Sequence, residues 1–252
     1  MVGGPHLSGP PRIETPAVFI DLSVIDANIH RMQNAISGKG LTLRPHVKSH
    51  KSVNLARRQL AAGAVGITVS SVGEAEVFAE AGFDDIFLAY PIWAGVGRRA
   101  KRILELHRRV PRFSIGVDSV AAAQQLARAA VGSERPLRVL VEIDSGARRS
   151  GVRPREAGDL AAACLELGLE VAGIFTYPGH AGNSKEARAG GAADEVRASE
   201  AAIASFALHG IPAETVSGGS TPTALLSSRA PMTEARPGEY IFNDADNVRM
   251  GT

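Results

Sequence analysis

The feature that most constrains the fold is a regular alternation of short β-branched runs with helical patterns. Strand-like runs cover residues 17–22, 41–48, 65–71, 85–90, 113–118, 137–144, 171–177, 214–219 and 232–242. Helical patterns lie between them, and most of the runs are near-continuously apolar, as in a parallel sheet that helices cover. This repetition within 252 residues favours a (β/α)8 TIM barrel. A doubly wound sheet is the alternative, and nine candidate strands for eight places leave the first or the last outside the barrel.

The chain is predicted to begin with a flexible leader over residues 1–15, which is rich in proline and glycine, and to continue as one barrel domain over 16–252. The first helix is expected to begin at Ser23 as its N-cap. Its apolar face repeats at Ile25, Ile29, Met32 and Ile36.

The composition excludes several classes of protein. A net charge of +2 with scattered arginines and 5% aromatic residues gives little support to nucleic-acid binding. There is no apolar run of the roughly 20 residues that span a membrane, and no apolar segment of a signal peptide. Together with a single cysteine, Cys164, these features predict a cytoplasmic protein without a disulfide.

A cationic segment, RPHVKSHK (44–51), ends the second strand-like run. Barrel chemistry lies at the C-terminal ends of strands, and Lys48 follows the apolar Val47, so we expect Lys48 to point into the barrel mouth. Apolar walls and cationic neighbours lower the pKa of a lysine, which supplies the neutral amine that Schiff-base chemistry needs. Two alternatives are a surface basic turn and a metal site of His46 and His50, whose spacing suits a helix better than an extended segment.

Small residues follow a late strand-like run, at Ser217, Gly218, Gly219, Ser220 and Thr221. Their N–H groups and hydroxyls, with the N-terminus of the short helix that follows, can converge on an anion. An ordinary strand–helix turn has the same composition and is the alternative. A strand-end lysine together with a phosphate-binding loop is the combination that pyridoxal phosphate (PLP) requires.

Other strand ends also carry polar residues. Arg149 could approach a phenolate or a carboxylate, or form a structural ion pair with Asp144. Tyr177 and His180 suit the edge of a planar cofactor and proton transfer, with packing as the alternative for Tyr177. The segment 95–100 matches the dinucleotide-binding pattern G-x-G-x-x-A, but it is separated from its strand, and we interpret it as a helix start.

These motifs resemble the fold-type III PLP-dependent enzymes, in the D-threonine aldolase and D-serine dehydratase branch related to alanine racemase. RPHVKSHK (44–51), SGGSTPT (217–223) and EARPGEYIFND (234–244) are highly specific together, and the matching stretches cover nearly all of the chain after the leader. The resemblance implies an alanine racemase N-terminal-like barrel in which the strand before Lys48 is the first and the ARPGEY segment supplies the last. The 17–22 strand then belongs with a C-terminal β-domain that follows in the family and that this chain lacks.

The resemblance also implies roles for individual residues. Lys48 forms the internal aldimine, and the segment 217–221 holds the phosphate. Arg149 lies near the phenolic oxygen, and Tyr177 and Arg236 lie near the ring and its nitrogen. His46, His180 and Tyr240 complete the pocket, with His180 as a second catalytic residue.

The implied activity is a lyase reaction on a small amino acid, a β-hydroxy D-amino acid. The leading hypothesis is D-threonine aldolase-type retro-aldol cleavage to glycine and an aldehyde. Dehydratase-type elimination, racemisation, a non-catalytic PLP carrier and a barrel without cofactor are the alternatives. In the family, the C-terminal domain carries a divalent metal site (Mn or Zn), whose His-x-Cys or His-x-Asp pair this sequence lacks, and helps to close the active site of a homodimer.

Overall fold

The computed structural model describes residues 14–182, 184–249 and 251, so most of the predicted leader lies outside the described residues. Eight strands form one parallel sheet. Its neighbouring strands follow the chain order from β2 to β8, and β1 pairs with β8. The strands are β1 (Thr42–Leu43), β2 (Ile67–Val69), β3 (Asp85–Leu88), β4 (Arg112–Val117), β5 (Arg138–Glu142), β6 (Glu170–Phe175), β7 (Thr215–Gly218) and β8 (Glu234–Ala235). A parallel bridge between His46 and Thr68 joins the segment after β1 to β2. The predicted TIM-barrel-like fold is confirmed, with the first and last strands in the predicted places.

Helices connect the strands on the outside of the barrel. They are α1 (Leu22–Ser37), α2 (Val53–Ala61), α3 (Val72–Glu80), α4 (Arg98–Arg109), α5 (Val120–Ala129), α6 (Ala157–Glu166), α7 (Lys185–Leu208), α8 (Ala224–Ser227) and α9 (Ala245–Arg249). The glycine-rich 95–100 segment lies at the start of α4, as interpreted from the sequence. None of the helices described here is long and apolar enough to cross a membrane.

The run 17–22 forms no strand in this structure, and its place beside a C-terminal β-domain stays a prediction. Residues 17–21 have no regular secondary structure, and Leu22 already begins α1. A strand needs a neighbouring strand for its backbone hydrogen bonds, and the described residues provide none to this run. The N-cap is Asp21 rather than Ser23, because the Asp21 carboxylate accepts hydrogen bonds from the N–H groups of Ser23 at 2.8 Å and Val24 at 3.4 Å.

Two layers of side chains bury the sheet. Ile86 and Leu88 of β3 pack in the main core between sheet and helices. Phe87 lies between them in the strand and therefore points the opposite way, into the barrel, because successive side chains of a strand alternate. There it forms a smaller cluster with Ala89, Leu140, Ala172 and Phe175, in which the rings of Phe87 and Phe175 meet edge to face at 5.1 Å.

An ion-pair network closes the end of the barrel at which the strands begin. Arg44, just after β1, pairs with Asp85 at the start of β3, and its Nε lies 2.7 Å from Glu234 Oε2 on β8. Arg112 Nε adds a second contact to Asp85, at 3.0 Å. The network therefore ties β3, β4 and β8 to the segment after β1 and leaves the opposite end of the barrel free for a site.

Candidate functional site

Two adjoining cavities lie at the C-terminal ends of the strands, with volumes of about 240 and 190 Å³. Both are lined by His46, Lys48, Tyr177 and Arg236. The larger cavity extends to the loop after β7, and the smaller one reaches toward Arg149. The two cavities therefore form one cleft, called here the mouth cleft, which brings together several predicted residues from distant parts of the chain.

Lys48 lies in a short 3-10 turn, Val47–Ser49, a few residues after β1. Val47 is fully buried, and its anchoring directs the next side chain toward the mouth cleft. The Lys48 Nζ lies 5.3 Å from the centroid of the Tyr177 ring. Partial burial, followed by the positive charges of Arg149 and Arg236, lowers the pKa of Lys48. The environment predicted for this lysine is therefore present, although the residue lies in a turn rather than on the strand itself.

The two histidines beside Lys48 make separate contacts. His46 is buried, and its Nδ1 accepts a hydrogen bond from the Lys48 N–H at 3.4 Å. Burial and the charges of Lys48 and Arg236 hold the pKa of His46 well below its usual value, so its ring is neutral. His50 bonds instead to Gln59 Oε1 at 3.2 Å. Among the residues described, no three His, Cys, Asp or Glu side chains are grouped to hold a metal ion.

Arg149 lies over two aromatic rings at one side of the mouth cleft. Its guanidinium carbon is 5.0 Å from the ring centroid of Tyr177 and 5.5 Å from that of Tyr90. The alternative of an ion pair with Asp144 is wrong, because the Asp144 carboxylate accepts from the N–H groups of Gly146 and Arg148 instead. Tyr177 is half-buried between the cations of Lys48 and Arg149 and lines the cleft. A cationic, aromatic-walled surface of this kind attracts a planar anion.

Arg236 lies at the floor of the mouth cleft and is almost fully buried. Its guanidinium carbon lies 5.2 Å from the ring centroid of Phe175 and 5.6 Å from that of Phe87, and one Nη donates to the Thr176 carbonyl. Its Nε is buried and has no hydrogen-bond partner among the residues that the structure describes. A buried donor without an acceptor is costly, so Arg236 is suited to receive an acceptor atom from a bound molecule.

The predicted phosphate loop is divided by the structure. Ser217 and Gly218 belong to β7 and do not line the mouth cleft, and the Ser217 hydroxyl donates to Glu234 Oε1 at 2.6 Å. Gly219, Ser220 and Thr221 line the larger cavity. Gly219 has a φ of +77°, a conformation that favours glycine at the turn out of the strand. Only the second part of the motif therefore reaches the cleft.

Thr221 ties this loop to the segment after β8. Its hydroxyl accepts hydrogen bonds from the N–H groups of Glu239 at 2.9 Å and Tyr240 at 3.1 Å. The side chain of Tyr240 is buried in the core, and its hydroxyl accepts from Gln59 Nε2 at 2.8 Å. Tyr240 does not line the mouth cleft, so its contribution to the site is through its backbone.

His180 is a further predicted residue that does not line the mouth cleft. It lies in the short 3-10 turn Gly179–Gly182, with its Nε2 3.1 Å from an Asp194 carboxylate oxygen and its ring against Gly146. Its neighbours Pro178 and Gly179 do line the cleft. The catalytic role of His180 stays a prediction that no contact supports.

Several cleft residues were not identified from the sequence. Glu142, at the end of β5, is buried beside Arg149, whose Nη2 lies 3.9 Å from Glu142 Oε1. Burial raises the pKa of Glu142. A glutamate within the apolar run LRVLVEID (137–144) was the available signal. The larger cavity is also lined by four acidic and amide side chains from the segments after β8: Glu239, Asp244, Asp246 and Asn247. The first two lie within the EARPGEYIFND motif without having been singled out, and the other two lie beyond it.

The sequence of this chain is similar to a known protein family and to several characterised enzymes. Residues 20–246 match the family described as alanine racemase, N-terminal domain. A D-threo-3-hydroxyaspartate dehydratase of Delftia sp. is 41% identical over 245 residues, which cover 92% of this chain and 62% of the dehydratase. A D-threonine aldolase of Arthrobacter sp. is 32% identical, covering 93% of this chain and 62% of the aldolase.

The structure of this chain is also similar to a solved structure of a D-threonine aldolase. The crystal structure of D-threonine aldolase from Filomicrobium marinum superposes with a TM-score of 0.87 at 33% identity, covering 94% of this chain and 65% of the aldolase. The present chain thus spans somewhat less than two thirds of the length of these relatives.

Proposed function

This chain belongs to the alanine racemase N-terminal domain family, and we propose that it is the cofactor-binding barrel of a PLP-dependent lyase acting on β-hydroxy D-amino acids. One observation carries the proposal: the mouth cleft combines the amine of Lys48 with the Gly219–Thr221 loop in a single cavity. The names of the relatives, a hydroxyaspartate dehydratase and D-threonine aldolases, support the reaction class and the substrate class.

The residues of the mouth cleft fit PLP. The unpartnered Nε of Arg236 is a buried donor for the ring nitrogen. At the other end of the cleft, the N–H groups of Thr221 and Gly238 have no acceptor in the part of the chain that the structure describes, and the Ser220 hydroxyl lies beside them. These donors suit a phosphate. Tyr177 and Arg149 would contact the ring and its phenolic oxygen.

Lys48 has the properties of the lysine that bonds the cofactor. A lowered pKa leaves a larger fraction of its amine neutral at physiological pH, and only the neutral amine is a nucleophile. Neutral His46 adds no charge beside it. When bound, PLP supplies an electron sink for the negative charge that develops at the substrate Cα. The amine of Lys48, which lines the cleft, would accept or return a proton there.

The carbon–carbon and carbon–oxygen cleavage reactions use the same cleft residues. Retro-aldol cleavage to glycine and an aldehyde is the reaction predicted from the sequence. Elimination is a second candidate, because identity to the Delftia dehydratase (41%) exceeds identity to the Arthrobacter aldolase (32%). In both reactions Arg149 and Arg236 would hold the cofactor while Lys48 handles the proton.

The test begins with cofactor binding. The purified chain is titrated with PLP, and the visible absorption of lysine-bound cofactor is recorded for the parent and for Lys48→Ala. The matched control is Lys51→Ala, which removes a solvent-exposed lysine that lies 3.4 Å from Glu74. We expect a band in the parent and in the control, and none in Lys48→Ala. A parent without a band, or a band that survives in Lys48→Ala, contradicts the proposal.

Turnover separates the two reactions. The PLP-loaded chain is incubated with D-threonine, D-serine and D-threo-3-hydroxyaspartate, with and without Mn²⁺. Glycine and an aldehyde identify cleavage, whereas ammonia and a 2-oxo acid identify elimination. A PLP-loaded chain that releases neither set of products from any of these substrates would favour the carrier function over the lyase.

A further inference from the structure

A buried glutamate lies directly behind the loop that lines the larger cavity. Glu195 belongs to α7 and is fully buried. It shares the inward face of the helix with Gly191 and Ser199, four residues to either side, so its burial follows the helical repeat. A carboxyl group is among the least favourable side chains to bury, and its contacts therefore need an explanation.

The Glu195 carboxyl holds the point at which the chain leaves β7. Its Oε1 accepts a hydrogen bond from the Gly219 N–H at 2.6 Å. A Cβ at Gly218 would overlap the same oxygen, so the glycine at 218 is explained by the approach of Glu195. Ser227, at the end of α8, donates its hydroxyl to the Thr223 carbonyl at 3.2 Å. Glu195 thereby holds the start of the segment that contains the cavity-lining residues Gly219, Ser220 and Thr221.

The carboxyl faces few groups that could hold a negative charge. Burial raises its pKa, opposed by the Gly219 N–H and the Ser227 hydroxyl, and then by the charges of Arg236 and His180. Its Oε2 has no hydrogen-bond partner in the part of the chain that is described. The carboxyl lies behind the loop, and the side chain itself does not line the mouth cleft.

We propose that Glu195 is a positioning residue that holds the Gly219–Thr221 loop in the conformation that receives the cofactor phosphate. The inference rests on the proposed PLP binding and deepens it. Glu195 acts from behind, through the Gly219 N–H, and makes no contact with the bound molecule. Its removal should therefore weaken the binding of a phosphorylated ligand while the lysine and the ring-binding residues remain intact.

The experiment compares PLP with pyridoxal, which lacks the phosphate. Dissociation constants for both are measured by visible absorption in the parent and in Glu195→Met, which keeps the length of the side chain and removes the acceptor. We expect Glu195→Met to weaken PLP binding about tenfold or more, as for the loss of a buried hydrogen bond to a carboxyl. Pyridoxal binding should change by less than about twofold, and it reports independently that the variant is folded.

Three further variants sharpen the result. Glu195→Gln retains a carbonyl acceptor for Gly219 and should restore PLP binding to within about threefold of the parent. Glu195→Asp shortens the side chain by one methylene and should also weaken the binding of PLP but not of pyridoxal. It serves as the test if Glu195→Met does not fold. Glu200→Gln removes an exposed acid from the same helix and should have no effect.

Equal weakening of PLP and pyridoxal in the Asp and Met variants, or unchanged PLP binding in both, overturns the positioning role of Glu195 while leaving the proposed function in place. A parent that binds pyridoxal and PLP with equal affinity overturns it as well. A parent that binds neither overturns the proposed function, and with it this inference.

Discussion

Replacing Asp85 with asparagine should destabilise the barrel, and replacing its neighbour Asp84 should not. Asp85 accepts from both Arg44 and Arg112, and its side chain is only 11% exposed. Within the described part of the chain, the Asp84 carboxylate accepts from Arg112 alone, and its side chain is 62% exposed. The same chemical change at adjacent positions therefore compares a buried ion pair with a solvated one.

The magnitudes follow from this difference in burial. Removing one partner of a buried ion pair costs about 3 kcal/mol or more, because the remaining charge stays buried without compensation. Glu234 still pairs with Arg44 at 2.7 Å, which keeps our expectation for Asp85→Asn near about 3 kcal/mol. An exposed pair contributes below about 1 kcal/mol. At about 2–4 °C per kcal/mol for a domain of this size, Asp85→Asn should lower the melting temperature by roughly 6–12 °C.

The assay is urea unfolding at neutral pH, followed by far-ultraviolet circular dichroism, with thermal melting as a second measurement. The m-values should remain equal, since the surface exposed on unfolding is unchanged. If Asp84→Asn costs as much free energy of unfolding as Asp85→Asn, or if Asp85→Asn costs less than about 1 kcal/mol, the network at the strand beginnings does not stabilise the barrel as argued.

Two shorter predictions concern other buried groups. Cys164 is fully buried and burial raises the pKa of its thiol to about 12, so a thiol reagent should modify it only after unfolding, and rapid modification of the native chain would contradict this. Burial lowers the pKa of His107, whose Nε2 bonds to the Arg135 carbonyl at 3.0 Å. Burying the neutral ring contributes its full stability above the pKa of histidine in the unfolded chain, about 6.5. This contribution is lost as the pH falls from there toward the lower pKa of the folded state. His107→Gln should flatten that decline in urea midpoints, and an unaltered pH dependence would contradict the assignment.

The sequence was most informative where several residues repeat the same signal. Strand–helix alternation predicted the barrel because each unit must bury one face, whatever its exact bounds. The 17–22 run forms no strand here because a strand needs a partner for its backbone hydrogen bonds, and local sequence carries no information on that partner. Asp21, within this run, is the N-cap of α1, so the helix begins at the next residue.

The candidate site was predictable to the extent that its residues lie in motifs. Lys48, Tyr177 and Arg236 meet in the mouth cleft as expected. Within the SGGST motif, however, the residue types could not separate those that face the cleft from those that serve the fold, since small residues suit both. Glu195 comes from a distant helix, where its sequence is that of an ordinary polar position, and only tertiary contact shows that it accounts for a glycine of the motif.

The Thr221 hydroxyl accepts two hydrogen bonds, and this limits how the Gly219–Thr221 loop could be transferred to another protein. Because the loop is joined to the N–H groups of Glu239 and Tyr240, its conformation is shared between two segments that are separate in the chain. Transplanting the SGGST motif alone into another barrel would leave that hydroxyl without its donors. A designer who borrows this loop would need to take the turn after β8 with it, so the smallest portable unit is a pair of neighbouring strand ends.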